Sequence, residues 1–134
     1  VKIMRVLFVD DDPMNRRVVR DMLTVAGIAL DEATDGRHGL EMIDQGEYSV
    51  VLMDLRMPGM DGLEAIRQIR ARSDHKANVA IVVMTADTSA DIRADCLSQG
   101  ADDLLMKPVA MQPLFKTMAA TVARKSKLAK AAGG

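Results

Sequence analysis

Five times along the chain a short apolar run gives way to a stretch with helical periodicity, and that alternation leaves few folds open. The predicted strands are residues 3–9, 28–34, 49–54, 79–85 and 102–106. Val6-Leu7-Phe8-Val9, Val50-Val51-Leu52-Met53 and Ala80-Ile81-Val82-Val83-Met84 are nearly continuous apolar runs. Runs of this kind suit central strands covered on both faces of a parallel sheet. With 134 residues there is room for one core and not for two, so five βα units read as a single doubly wound α/β domain.

The helices mark their own ends. Asp12 before Pro13 reads as an N-cap followed by proline in the first turn, while Asp61 with Glu64 and Thr88 with Asp91 read as capping boxes. Gly27, Gly46 and Gly100 stand where helices should stop, in the left-handed position. In the first helix Asn15, Val18, Val19, Met22, Leu23 and Ala26 share one arc, the face expected on the sheet. The last helix is expected over residues 111–125, which gives a domain over 1–125 and a basic, flexible tail over 126–134. Among 11 methionines, Met22, Met42, Met53, Met84 and Met118 fall at core-like positions, where methionine is a flexible filler.

Charge excludes some functions. From residue 116 onward the chain carries Lys116, Arg124, Lys125, Lys127 and Lys130 and no acid, which leaves 13 basic against 19 acidic residues in the body. An acidic body speaks against a nucleic-acid-binding face, and basic residues late in a helix complement its dipole. No apolar run approaches the roughly 18 residues of a membrane span, so no membrane contact is expected of this domain. The single Cys96 and two isolated histidines leave no disulfide and no Cys/His metal cluster, and a cytoplasmic setting is expected. The chain opens at Val1, as a piece cut from a longer protein would.

Open α/β sheets bind ligands at the carboxyl ends of their strands. There the first strand delivers Asp10-Asp11-Asp12, the third Asp54, the fourth Thr85 and the fifth Lys107, just before Pro108. The second ends in Thr34-Asp35-Gly36, a turn and cap. Carboxylates with no soft ligand nearby suit a hard divalent cation such as Mg2+. An ionised aspartate beside such a cation and a lysine can attack phosphorus, and a hydroxyl and an ammonium suit the phosphoryl oxygens. No Walker sequence and no G-x-G-x-x-G is present, so nucleotide binding is not indicated.

Val6-Leu7-Phe8-Val9-Asp10-Asp11-Asp12-Pro13, Leu52-Met53-Asp54-Leu55-Arg56-Met57-Pro58-Gly59-Met60-Asp61-Gly62, Val83-Met84-Thr85-Ala86 and Met106-Lys107-Pro108 together resemble the receiver domain of two-component response regulators, over residues 3–124. The resemblance implies a flavodoxin-like five-stranded sheet of order 2-1-3-4-5, with Asp54 as phosphoacceptor. It implies that Asp10, Asp11, Asp54 and the Arg56 carbonyl hold Mg2+, with Asp11 a direct ligand. Thr85 and Lys107 would bind the phosphoryl group, Lys107 across a cis bond to Pro108. Such a domain catalyses its own phosphorylation and dephosphorylation, with a histidine kinase or a histidine phosphotransfer domain as partner. Arg56 and Asp87 stand at the two sites that modulate hydrolysis in this family.

Asp12-Pro13-Met14-Asn15-Arg16, Thr85-Ala86-Asp87 and Cys96-Leu97-Ser98-Gln99-Gly100-Ala101-Asp102-Asp103 are similar to receivers carried on hybrid sensor kinases. Those take a phosphoryl group from a kinase histidine and pass it to a phosphotransfer domain. Leu104 departs from the family, which often has an aromatic there. Met14 and Val18 border the apolar arc of the first helix and read equally as core edge and as a docking patch.

Two other readings remain open at this point. In a phosphatase of the haloacid dehalogenase kind, Asp10 would be the nucleophile, with Asp12, Thr85 and Lys107 completing the motifs. Its closing acidic pair should follow the lysine, yet Asp102-Asp103 precedes it. A pseudo-receiver would bind partners without phosphorylation.

Overall fold

The structure is a computed structural model that describes residues 4–132, with side chains through residue 128. Ile3, Gly133 and Gly134, which the predicted first strand and tail include, lie outside the described residues. Five parallel strands, β1 (Arg5–Val9), β2 (Ala29–Ala33), β3 (Val50–Asp54), β4 (Ala80–Thr85) and β5 (Asp103–Met106), form one sheet in the order β2-β1-β3-β4-β5. Helices α1 (Pro13–Val25), α2 (Gly36–Gln45), α3 (Gly62–Arg70), α4 (Ala90–Gln99) and α5 (Met111–Ala132) alternate with them, and a short 3-10 turn at His75–Asn78 leads into β4. This is the flavodoxin-like arrangement.

The alternation of strand side chains divides the core. Leu7, Val9, Val51, Met53, Ile81, Val83 and Leu104 face α2, α3 and α4, where Ile43, Ile66, Ile69 and Cys96 meet them. Val6, Phe8, Val50, Leu52, Val82, Met84 and Leu105 face Val19 and Leu23 of α1 and Leu114 and Met118 of α5. Every residue of β3 and β4 is buried, as their continuous apolar runs require.

Asp12, Asp35 and Asp61 cap α1, α2 and α3 through their side-chain oxygens. At α4 the cap is Ser89 and not Thr88. Asp87 Oδ1 accepts the Ser89 N–H at 3.0 Å, and this local turn delays the helix by one residue. Gly27 and Gly100 take positive φ (72° and 118°) after α1 and α4, whereas Gly46 has φ −134°, an extended exit that other residues also adopt.

Two expectations along the helices are corrected. On α1, Val19 and Leu23 are buried, but Val18 is 41% exposed and Ala26 is exposed. The arc that meets the sheet is narrower than periodicity alone implies. α5 continues through Ala132, so most of the predicted flexible tail is helical. Between Lys125 and Gly133 no glycine or proline interrupts a run made mostly of alanine and lysine, both strong helix formers. Among the described residues no helix is long and apolar enough to cross a membrane.

Candidate functional site

The carboxyl ends of β1, β3 and β4 and the segments that follow them and β5 border an open cleft of about 460 Å3. Its walls carry Asp10, Asp11, Asp12 and Asn15 on one side, Asp54 and Arg56 in the middle, and Thr85, Ala86, Asp87 and Lys107 on the other. The cluster predicted at this edge is thus assembled.

Each group has an anchor. Asp10 is fully buried at the end of β1, and its N–H donates to Ala33 O at 3.1 Å. Asp10 Oδ1 accepts the Asp12 N–H at 2.9 Å, and Oδ2 accepts from Asn15 Nδ2 at 3.3 Å and Lys107 Nζ at 3.2 Å. Lys107 donates also to Asp54 Oδ1 at 2.8 Å. The Lys107 N–H bonds Thr85 O at 2.9 Å, and the Lys107–Pro108 bond is cis. Thr85 is 4% exposed, and its Oγ1 accepts the Asp87 N–H at 3.1 Å.

Asp54 closes β3 and is 6% exposed. Gly62 packs directly on its carbonyl, where any Cβ would collide with Asp54 O. That close approach lets α3 start against the end of β3. The Gly62 N–H also donates to Leu55 O at 2.9 Å.

Burial pushes the Asp54 carboxyl up to about 6; Lys107 opposes the rise, and Asp10 and Asp11 add to it. Burial alone would lower Lys107, but the Asp54 and Asp10 carboxylates outweigh it and raise its pKa. Asp87 is held below the usual carboxylate range, first by hydrogen bonds from Ser89, with a contribution from the Arg56 charge.

One carboxylate oxygen from each of Asp10, Asp11 and Asp54 lies within 4.8 Å of the others. An all-oxygen, anionic donor set fits a hard divalent cation and fits soft metals poorly. Asp12 borders the cleft but spends Oδ1 on the Met14 N–H at 2.9 Å, the cap that its sequence position implies.

Two neighbours of the carboxylates are not evident from the sequence. Asn15 is expected on the sheet-facing arc, yet it donates into the cleft to Asp10. Arg16 Nη1 donates to Asp10 O at 2.7 Å. The available signal is the tilt of helical Cβ atoms toward the N-terminus, which aims first-turn side chains back at the preceding strand.

The haloacid dehalogenase alternative is overturned. Its nucleophile, Asp10, has no exposed side-chain surface and is bonded on both oxygens, whereas Asp54 stands beside Lys107 at the cleft. Comparison with known proteins points the same way. The "Response regulator MprA" of Mycolicibacterium vanbaalenii is 39% identical over 120 residues, covering 90% of this chain and 51% of that protein. The chain therefore spans about half the length of the curated relatives it matches. The receiver domain of the sensor histidine kinase PA1611 from Pseudomonas aeruginosa, solved with a magnesium ion in its active site cleft, superposes with TM-score 0.83 at 30% identity, over 91% of this chain and 99% of that one. The receiver domain of Saccharomyces cerevisiae Ssk1, solved with the phosphotransfer protein Ypd1, gives TM-score 0.81 at 28% identity, over 90% and 89%. Residues 6–119 match the family model described as "Response regulator receiver domain", and the chain belongs to that family.

Proposed function

We propose that this receiver accepts a phosphoryl group on Asp54 from a phosphohistidine and then passes it on or releases it to water. The observation that carries this reading is Lys107 Nζ, 2.8 Å from Asp54 Oδ1 and 3.2 Å from Asp10 Oδ2, beside three converging carboxylates. A carboxylate oxygen of Asp54 attacks phosphorus, the bond from phosphorus to the donor nitrogen breaks, and an acyl phosphate results. Asp10, Asp11, Asp54 and the Arg56 carbonyl are the residues that would hold Mg2+. When bound, it neutralises charge on the carboxylates and the phosphoryl oxygens. Lys107 moves its hydrogen bond from Asp54 to a phosphoryl oxygen, and the Thr85 hydroxyl donates to another. Arg56 and Asp87 border the mouth and limit the approach of water.

The deciding experiment is intact-mass measurement after incubation with acetyl phosphate. The wild type should gain one phosphoryl adduct only when Mg2+ is present, and Asp54→Ala should gain none. An equal adduct on Asp54→Ala would remove Asp54 as the acceptor.

The phosphoryl donor docks beside α1. Met14 is 64% and Val18 41% exposed, and Val18 borders a recess of about 90 Å3 with Pro108 and Val109 that reaches Asp10 and Lys107. An apolar patch one helical turn long beside the acceptor suits a helix of a phosphotransfer domain. Its likeness to the Ssk1 receiver, solved in complex with Ypd1, supports that partner class. Changing Met14 and Val18 together to Ser should slow transfer from a cognate phosphodomain at least about tenfold, the scale of about 1.4 kcal/mol at a docking contact. Labelling by acetyl phosphate should stay within about twofold. If both rates fall together, the pair is structural.

A further inference from the structure

Asp11 is the one exposed carboxylate of the metal-binding trio, and among the described residues no hydrogen bond or ion pair holds its side chain. What the fold fixes for Asp11 is therefore the direction in which its Cα–Cβ bond leaves the backbone. The peptide between Asp10 and Asp11 is fixed at the Asp10 carbonyl, which accepts from Arg16 Nη1 at 2.7 Å. Arg16 is in turn ion-paired with the neighbouring strand, its Nε 3.6 Å from Glu32 Oε1. Both side chains are mostly buried, at 16% and 22% exposed. Glu32 is itself fixed by Arg20, at 2.6 and 2.8 Å, and lies in register with Phe8 of β1.

We propose that Arg16 is a positioning residue for the metal site: through the Asp10 carbonyl it fixes the direction of Asp11, and Glu32 holds it there. The inference rests on the reading of Asp10, Asp11 and Asp54 as Mg2+ ligands. Arginine suits the task because its planar fork donates one N–H to the carbonyl while the rest of its charge stays beside the carboxylate as an ion pair at fixed spacing, which an ammonium does not. Charge and geometry make opposite demands here. As a nearby cation, Arg16 repels Mg2+, so deleting it should tighten binding if charge alone matters. As a positioning group, its deletion should loosen binding.

Calorimetric titration of the whole chain with Mg2+ distinguishes the two. Arg16→Met keeps the aliphatic stem and should raise the dissociation constant about tenfold, the lower end for groups that orient metal ligands. Arg16→Lys, which keeps one donor for the carbonyl, should recover part of the loss. The change should appear more in the Mg2+ concentration for half-maximal acetyl phosphate labelling than in the limiting rate. Unchanged or tighter Mg2+ binding by folded Arg16→Met, with Asp11→Asn losing it, overturns the positioning role and leaves the metal site standing. Wild-type affinity in Asp11→Asn overturns the metal-site reading itself, and this inference with it. If Arg16→Met does not fold, Glu32→Gln replaces it: a smaller rise in the same direction supports the inference, and an unchanged affinity overturns it.

Discussion

Asp54→Asn is expected to make the metal-free protein more stable than the wild type at pH 7, by about 2 to 3 kcal/mol. The cause is the crowding of the Asp54 carboxylate, whose burial, with Asp10 and Asp11 nearby, pushes its pKa up to about 6 from 3.8. At pH 7 the folded state therefore carries an ionised carboxylate in a place that disfavours its charge, a cost the unfolded state does not bear. Between about pH 6 and pH 4 the folded chain binds more protons than the unfolded one, so this contribution to stability grows as pH falls. Above pH 6 the penalty is fully present. Asparagine mimics the protonated acid and still offers Oδ1 to Lys107. The gap between variant and wild type should shrink below about 1 kcal/mol by pH 4. Urea denaturation in EDTA at pH 7 and pH 4 measures it, and equal midpoints at pH 7 would refute the expectation. Adding Mg2+ should narrow the gap, because a ligand of the native wild type adds stability by mass action.

Arg70→Met should cost about 3 kcal/mol of stability, a large part of the 5 to 15 kcal/mol typical of a domain. At the end of α3, Arg70 donates to Gly100 O at 2.9 Å, Ala77 O at 2.8 Å, Val79 O at 2.7 Å and Asp102 Oδ2 at 3.0 Å. Asp102 Oδ2 also accepts the Ile81 N–H at 2.9 Å, so one guanidinium ties α3 to the starts of β4 and β5. The loss stays near the lower end because Lys125 remains 3.1 Å from Asp102 Oδ1. Methionine keeps the stem that lies against Gly100, where an added Cβ would come within 2.7 Å of Arg70 Cγ. The substitution lies at the opposite end of the sheet from the cleft. A lower denaturation midpoint with unchanged acetyl phosphate labelling of the folded fraction is the expected pair of results. An unchanged midpoint would mean that water replaces the guanidinium without loss.

The strands and the residues at their ends are legible for one reason: the uninterrupted apolar runs of β3 and β4 stop at Asp54 and Thr85. Burial on both faces forces such runs, and the first polar residue after each one emerges at the same edge of the sheet. Helices are less legible. Periodicity assigns a residue to a face but gives no position along the axis, so it groups Asn15 with the core although Asn15 reaches Asp10. At α4 two hydroxyl residues compete for the cap, and the Asp87 turn that selects Ser89 depends on side-chain geometry. In α5 the low-complexity run from Ala129 to Gly134 reads as a loose tail, whereas propensity carries the helix to Ala132. Arg70 has no signature in the sequence, because its four acceptors come from segments brought together only by folding.

The sheet keeps two cores apart, and this has a consequence for how such a domain changes over generations. Val18, Pro108 and Val109, which border the recess reaching Asp10 and Lys107, adjoin the α1 and α5 side, whereas Leu104 packs with α3 and α4 on the other. Substitutions around that recess therefore call for compensation among α1, α5 and one face of the strands. Substitutions at Leu104 call on a different set of side chains, those of α3 and α4. The two faces can therefore change separately within a single small domain, each repacking against its own helices.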